Sequence, residues 1–264
     1  MRSILALFFF AGVAACSSDS FTPAPVADAG KDAPLADASD GGPGFCASQP
    51  PGYLFCDDFD TLGTGATGLD SNWVVTTENG GAVSRSSTRS LSPGFGFEAT
   101  TRPGKSSATL YRNPNAGVAG RLTLSFAIYL TAGCNEAKAG VVLASLVAAD
   151  TALSKAYFIS LALADTKLAL IESVLADAGS SSLPQPGNTV WPTDKWVRVV
   201  FDAELGGKTA HVSLDGGAAE DFQLKAQLAL VSFPAASIGA STEANRATAC
   251  TVNFDDVVFR INFK

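Results

Sequence analysis

From Tyr53 to Phe263 short β-branched, aromatic and aliphatic runs are separated by Gly, Asn, Asp and Pro, and this punctuation is the feature that most constrains the fold. Runs of this kind, with little helical periodicity, read as strands. The expected strands are Tyr53–Asp60, Asn72–Thr77, Phe95–Ala99, Ala108–Arg112, Arg121–Thr131, Gly140–Ala148, Ala156–Ala164, Lys167–Leu175, Trp196–Glu204, Thr209–Leu214, Ala236–Ala240 and Cys250–Phe263. A period of two is clearest in Leu122, Leu124, Phe126, Ile128 and Leu130, which share one face opposite Thr123, Ser125, Ala127 and Tyr129. Such a strand is half buried. Leu205-Gly206-Gly207-Lys208 marks a hairpin and Asp215-Gly216-Gly217 the next turn. Glu136–Ala149 is Ala-rich and suits either a helix or, through Gly140-Val141-Val142, a buried strand.

Two acidic segments bracket the pattern. Phe55-Cys56-Asp57-Asp58-Phe59-Asp60 opens it and Asn253-Phe254-Asp255-Asp256-Val257 closes it, which predicts first and last strands that meet. With 264 residues, 47% of them hydrophobic, the chain buries one sizeable core. Its net charge of −7 repels phosphate, so nucleic acid is not an expected partner.

Arg2 followed by the apolar run Ile4–Val13 has the order of a signal peptide and is too short to span a bilayer as a helix. The run leads into Val13-Ala14-Ala15-Cys16, which resembles the bacterial lipobox. That resemblance implies removal of residues 1–15, acylation of Cys16 and attachment to a lipid bilayer, where several acyl chains hold stably. Ser17 after the cysteine implies, by analogy with enterobacterial sorting, the outer membrane. Residues 16–44 then form a tether rich in Ala, Pro, Asp, Gly and Ser. Asp19, Asp28, Asp32, Asp37 and Asp40 stand against Lys31, and a segment so poor in large apolar side chains is expected to be a disordered, extended spacer.

With Cys16 assigned to lipid, Cys46, Cys56, Cys134 and Cys250 remain, and an even number in an exported chain implies disulfides. Four cysteines allow three connectivities. Cys46–Cys56 is favoured because the two flank the Gln49-Pro50-Pro51-Gly52 turn, which leaves Cys134–Cys250. No Cys-x-x-Cys pair suggests a thiolate metal site.

Leu54-Phe55-x-Asp57-Asp58-Phe59-Asp60, Trp196-Val197-Arg198-Val199-Val200-Phe201-Asp202, Val212-x-Leu214-Asp215-Gly216 and Phe254-Asp255-Asp256-Val257-Val258-Phe259 together resemble the concanavalin A-like, laminin-G-like jelly roll. The resemblance covers about residues 53–263 and implies an all-β, two-sheet antiparallel sandwich over 45–264. It further implies that the Trp196 strand and the strand ending at Asp215-Gly216 are neighbours, that the chain ends pair, and that Trp196 packs in the core. The architecture hosts lectins, hydrolases, lyases and adhesion modules, so it does not by itself specify a function.

Asp57, Asp58, Asp60, Asp255 and Asp256 are the densest set of oxygen donors. Carboxylates brought together by the first and last strands suit a structural calcium, while the same residues also serve to cap strand ends. Trp73 and Trp191 are candidate sugar-stacking rings, and His211 is the one histidine, on the polar side of its strand with Thr209 and Ser213. Catalytic patterns are missing: no Glu-x-Asp-x-Glu strand, no Gln-x-His strand of the kind jelly-roll alginate lyases use, and no Gly-x-Ser-x-Gly. Asp202-Ala203-Glu204 is the nearest carboxylate pair and reads as a solvated strand end. The expected function is binding of a glycan or protein partner by a membrane-anchored module. A polysaccharide lyase or hydrolase and a structural envelope lipoprotein are the alternatives.

Overall fold

The computed structural model describes residues 44–262 except 62, 64–66, 115–119, 137–139, 151–154, 177–178, 226–231 and 243–245. The expected signal peptide, the lipidated Cys16 and the tether up to residue 43 lie outside the described residues. Strands are numbered in chain order. One sheet contains β1 (Phe55–Asp57), β3 (Ala82–Ser86), β4 (Gly96–Thr100), β6 (Arg121–Leu130), β11 (Trp196–Glu204), β12 (Thr209–Leu214), β13 (Glu220–Gln223) and β15 (Thr251–Asn262). The other contains β2 (Val74–Glu78), β5 (Ser106–Arg112), β7 (Val141–Asp150), β8 (Lys155–Ala164), β9 (Lys167–Ala176), β10 (Gly179–Val190) and β14 (Ser232–Thr242).

The eight-stranded sheet runs β13-β12-β11-β6-β15-β4-β3, with β1 paired to β15, and the seven-stranded sheet runs β10-β9-β8-β7-β14-β5-β2. Every pairing is antiparallel among the described residues. First and last strands do meet, Phe55 opposite Phe259 and Asp57 opposite Val257. β11 and β12 are hairpin neighbours, as the Gly-Gly turn predicts.

Alternation decides what fills the space between the sheets. Leu122, Leu124, Phe126, Ile128 and Leu130 of β6 are all buried, and so are Val197, Val199, Phe201 and Ala203 of β11. Each such aliphatic or aromatic side chain contributes about 1.5–3 kcal/mol by leaving water. Rings continue the core along the junction of the chain ends: Trp73 packs on Phe55 (5.3 Å) and Phe59 (6.3 Å), and Phe97 links Phe59 to Phe254 at 5.8 Å each. The disulfides are Cys46–Cys56 and Cys134–Cys250, with Cα separations of 5.6 and 4.4 Å.

The described residues of 136–149 form no helix. The part from Val141 onward is β7, a central strand with apolar side chains on both faces. β3, β10 and β13 are strands with no counterpart in the expected set, and β3, β10 and β13 are all at sheet edges. An edge strand needs less apolar surface and tolerates Pro184 and Pro186, which donate no ladder hydrogen bond.

Candidate functional site

The acidic seam is built inward from β15. Its ladder with β6 slips between Asp255 and Val258, and Asp256 adopts φ 54°, a bulge that inserts an extra residue. Regular alternation would send Asp255 and Asp256 to opposite faces; the bulge lets Asp256 reach Arg198 on the side Asp255 also faces. Asp255 Oδ2 accepts hydrogen bonds from the Leu91 and Ser92 amides (2.7 and 2.9 Å) and from Ser92 Oγ (3.1 Å), and Oδ1 accepts from the Asp256 amide (2.8 Å). Burial, and then the neighbouring Asp256 charge, push the Asp255 carboxyl up to about 7. Burial also raises Asp256 against the pull of Arg198, whose Nη2 is 2.8 Å away, and Asp256 Oδ1 is buried with no hydrogen-bond partner.

The other three acids are occupied by local donors. Asp57 accepts from the Phe59 amide (2.8 Å) and Trp73 Nε1 (2.5 Å), and burial raises its pKa. Asp58 accepts from the Cys46 and Asp60 amides at 3.3 and 3.4 Å. Asp60 accepts from the Phe95 amide at 2.8 Å. Its carboxylate lies so near Gly94 that a Cβ there would sit 1.9 Å from Oδ1, at a φ of 120° that also favours glycine. Of the two roles open to these acids, a shared cation site and local capping, the contacts here are local amide and side-chain donors; among the described residues no group of three His, Cys, Asp or Glu side chains is placed to hold a metal ion. The acids instead tie the chain ends, the loop around Leu91–Phe95 and the Cys46–Cys56 clamp into one joint.

The two tryptophans that were candidate sugar-stacking rings are core residues. Trp73 is 5% exposed and Trp191 2%. Both sit in or beside loops, where a large ring plugs the end of the sandwich. Trp196 is the one expected in the core, and it lies outside it. Its neighbours Val197 and Val199 face inward, so alternation turns Trp196 outward, half buried and edge-on to Tyr129 at 5.8 Å. Arg89 covers the far side of Tyr129, its guanidinium carbon 4.2 Å from the ring centre.

His211 lies on the same outer face of the eight-stranded sheet, with Nδ1 2.6 Å from Asp221 Oδ1 on β13. Its other cross-strand neighbour, Asp202, is not a solvated strand end. Asp202 is 5% exposed and accepts from Arg121 Nε (2.8 and 3.0 Å) and Thr123 Oγ1 (2.7 Å). A carboxylate held by three hydrogen bonds is poorly disposed to act as a free general base. Phe45 and the segment from Arg89 to Ser92 lie over part of this face, through Phe45 under Arg198, Arg89 on Tyr129 and Ser92 on Asp255.

The outer face of the seven-stranded sheet is different. It carries a depression of about 240 Å³ lined by Thr109, Val142, Ser145, Phe158, Ser237, Gly239 and Ser241, among others. The register explains the hollow. Tyr111 stands opposite Ser237, Ser237 opposite Ser145, and Ser145 opposite Ser160, so one row across β5, β14, β7 and β8 reads Tyr-Ser-Ser-Ser. Ser145 and Ser160 are 6% and 7% exposed and their hydroxyls meet at 2.8 Å. Small side chains here, together with Gly239 in the next row opposite Thr109, leave the surface low between Val142 and Phe158. Sequence reasoning missed this row, although each serine interrupts an apolar run, as in Ile159-Ser160-Leu161.

No family model matches the sequence, and no curated protein matches it. Solved structures do resemble the fold. An endo-β-1,4-glucuronan lyase from the fungus Trichoderma reesei superposes with a TM-score of 0.57 at 17% identity, covering 80% of this chain and 96% of that one. A cellulose-induced protein gives 0.53 at 16% identity, over 80% and 100% of the two chains. An alginate lyase from a Chlorella virus gives 0.53 at 10% identity, over 79% and 99%. At these identities the likeness establishes the all-β, two-sheet jelly-roll sandwich and nothing finer.

Proposed function

We propose that the chain is an exported, lipid-anchored module whose jelly roll binds a glycan along the outer face of the seven-stranded sheet. The observation that carries this reading is the set of hydroxyls that line the depression, Ser145, Ser237, Ser241 and Thr109, with Ser145 and Ser237 cross-strand partners. Hydroxyls that both donate and accept, beside the aromatic ring of Phe158 and the aliphatic Val142, match the mixed polar and apolar surface of a sugar chain. The fold likeness to a glucuronan lyase, an alginate lyase and a cellulose-induced protein adds support for a polysaccharide ligand.

Binding without turnover is favoured over lyase or hydrolase action by the chemistry of that face. β-Elimination and glycoside hydrolysis each need a positioned acid and base. Among the described residues the depression is lined by hydroxyls, methyls and backbone, and the one histidine belongs to the other sheet. The anchor rests on the lipobox resemblance at Cys16, and Ser17 directs the module to the outer membrane in this reading.

A glycan array and a set of polysaccharides, both probed with the full-length chain, test the proposal. Binding with no release of reducing ends or unsaturated products is expected. Turnover abolished by His211→Ala would replace the binder with an enzyme, and absence of both binding and turnover would favour a structural envelope lipoprotein. Cys16→Ala is expected to move the chain from the membrane fraction to the soluble one.

A further inference from the structure

Resting on the glycan reading of the trough, we infer that its ligand is an uncharged glycan, not a uronate polymer. Charge is the first observation. The outward positions of the seven-stranded sheet whose side chains are described carry two ionisable groups other than tyrosine, Glu78 on the edge strand β2 and Lys167 at the β8–β9 turn. Both are exposed rim residues, and neither lines the depression. A uronate carboxylate laid on the Ser237–Ser145–Ser241 lining would lose water and meet no cation among the described residues, which leaves a charge desolvated and unpaired. The whole chain, at −7, also repels a polyanion on approach.

Hydrogen-bond capacity is the second observation. Two serine hydroxyls hold two O–H donors between them, and the single contact between Ser145 and Ser160 uses one. With Ser160 donating to Ser145, the remaining O–H is that of Ser145, which is more than nine-tenths buried and lines the depression, where a neutral sugar hydroxyl or ring oxygen can accept it. Ser237 extends the same row by one strand, so the three hydroxyls span about 10 Å at the usual strand spacing. The 240 Å³ hollow is smaller than the ~300–1,000 Å³ of enclosed ligand pockets, which suits a polymer lying across the strands better than a small molecule swallowed whole.

Affinity electrophoresis of the full-length chain through gels containing mannan, xylan or soluble β-glucan, and in parallel alginate or glucuronan, separates the outcomes. Retardation by at least one neutral polymer is expected, with the uronates about tenfold weaker or more, a difference of about 1.4 kcal/mol. Ser237→Arg, checked for an unchanged thermal transition, is expected to lose the neutral polymer and gain retardation by alginate; Thr109→Arg provides a second route should Ser237→Arg fail to fold. Retention by uronates equal to or above that by neutral polymers overturns the inference and leaves glycan binding standing. Retention by neither class overturns the glycan reading itself.

Discussion

Replacing Asp255 by Asn should flatten the dependence of stability on pH. The Asp255 carboxyl is raised from an ordinary 3.8 to about 7 because folding buries it beside Asp256. A raised carboxyl pKa means that the folded chain holds this proton more tightly than the unfolded chain does. Its contribution is then complete below about pH 4 and is lost as pH rises through about 7. A shift of roughly three units at ~1.4 kcal/mol each amounts to about 4 kcal/mol between about pH 4 and 8.5. Burial raises Asp57, Asp60 and Asp256 in the same direction, so part of the slope survives in the variant. In Asp255→Asn the remaining oxygen can still accept from Leu91 and Ser92, while the new amide faces the Asp256 N–H and costs about 1–3 kcal/mol at every pH. Urea unfolding at the two pH values, with both disulfides intact, measures the slope directly. Wild-type protein should be less stable at the higher pH, and the variant's loss should be smaller by a few kcal/mol. Equal slopes in the two proteins would show that the seam carboxyl is not the source.

Trp191→Ala should cost about 3–5 kcal/mol in urea unfolding and leave per-site affinity of the folded fraction for a trough ligand unchanged, because the ring is 2% exposed and plugs the core. Trp196→Ala, in contrast, should shift stability by about 0.5–1.5 kcal/mol, the scale of an edge-to-face pair with Tyr129. Removing the Cys134–Cys250 bridge, which closes a separation of 116 residues, should destabilise by about 5 kcal/mol, against roughly 2–3 for Cys46–Cys56 with its separation of 10. Equal losses from the two bridges in unfolding measurements would contradict the loop-length argument.

The fold was legible where alternation or turn chemistry was strong. β6 and β11 could be read from their inward aliphatics, the β11–β12 hairpin from Gly206-Gly207, and the meeting of chain ends from the paired acidic motifs. Edge strands escaped because their requirements are weaker: β10 contains Pro184, Pro186 and Gly187, which signal a loop everywhere except at a sheet margin. The site was harder. Trp73 and Trp191 look exposed in sequence because they border loops, but ring size makes such positions core plugs. Trp196 could have been placed outward from the parity of Val197 and Val199. The acids were legible as a set but not by their partners. A cation site needs several oxygens aimed at one point, and the bulge at Asp256 together with local amide donors spends them separately. Each serine of the row interrupts an apolar run, but nothing in the sequence joins the three, since Ser145, Ser160 and Ser237 become neighbours only through the register of β7, β8 and β14.

The Cys46–Cys56 bridge also determines how the domain would carry load. A pull applied on the N-terminal side of Cys46 crosses the sulfur bridge straight to Cys56, inside β1, so the intervening Ala47–Tyr53 segment stays slack. Tension then enters the sandwich at the strand that pairs with the last strand of the chain, beside the Asp57–Trp73 contact, where backbone ladder and aromatic packing resist together. Reduction of that one bridge would lengthen the path by the slack segment and move the strained point to the start of β1, giving a chain under drag a few nanometres of give before any ladder hydrogen bond must break.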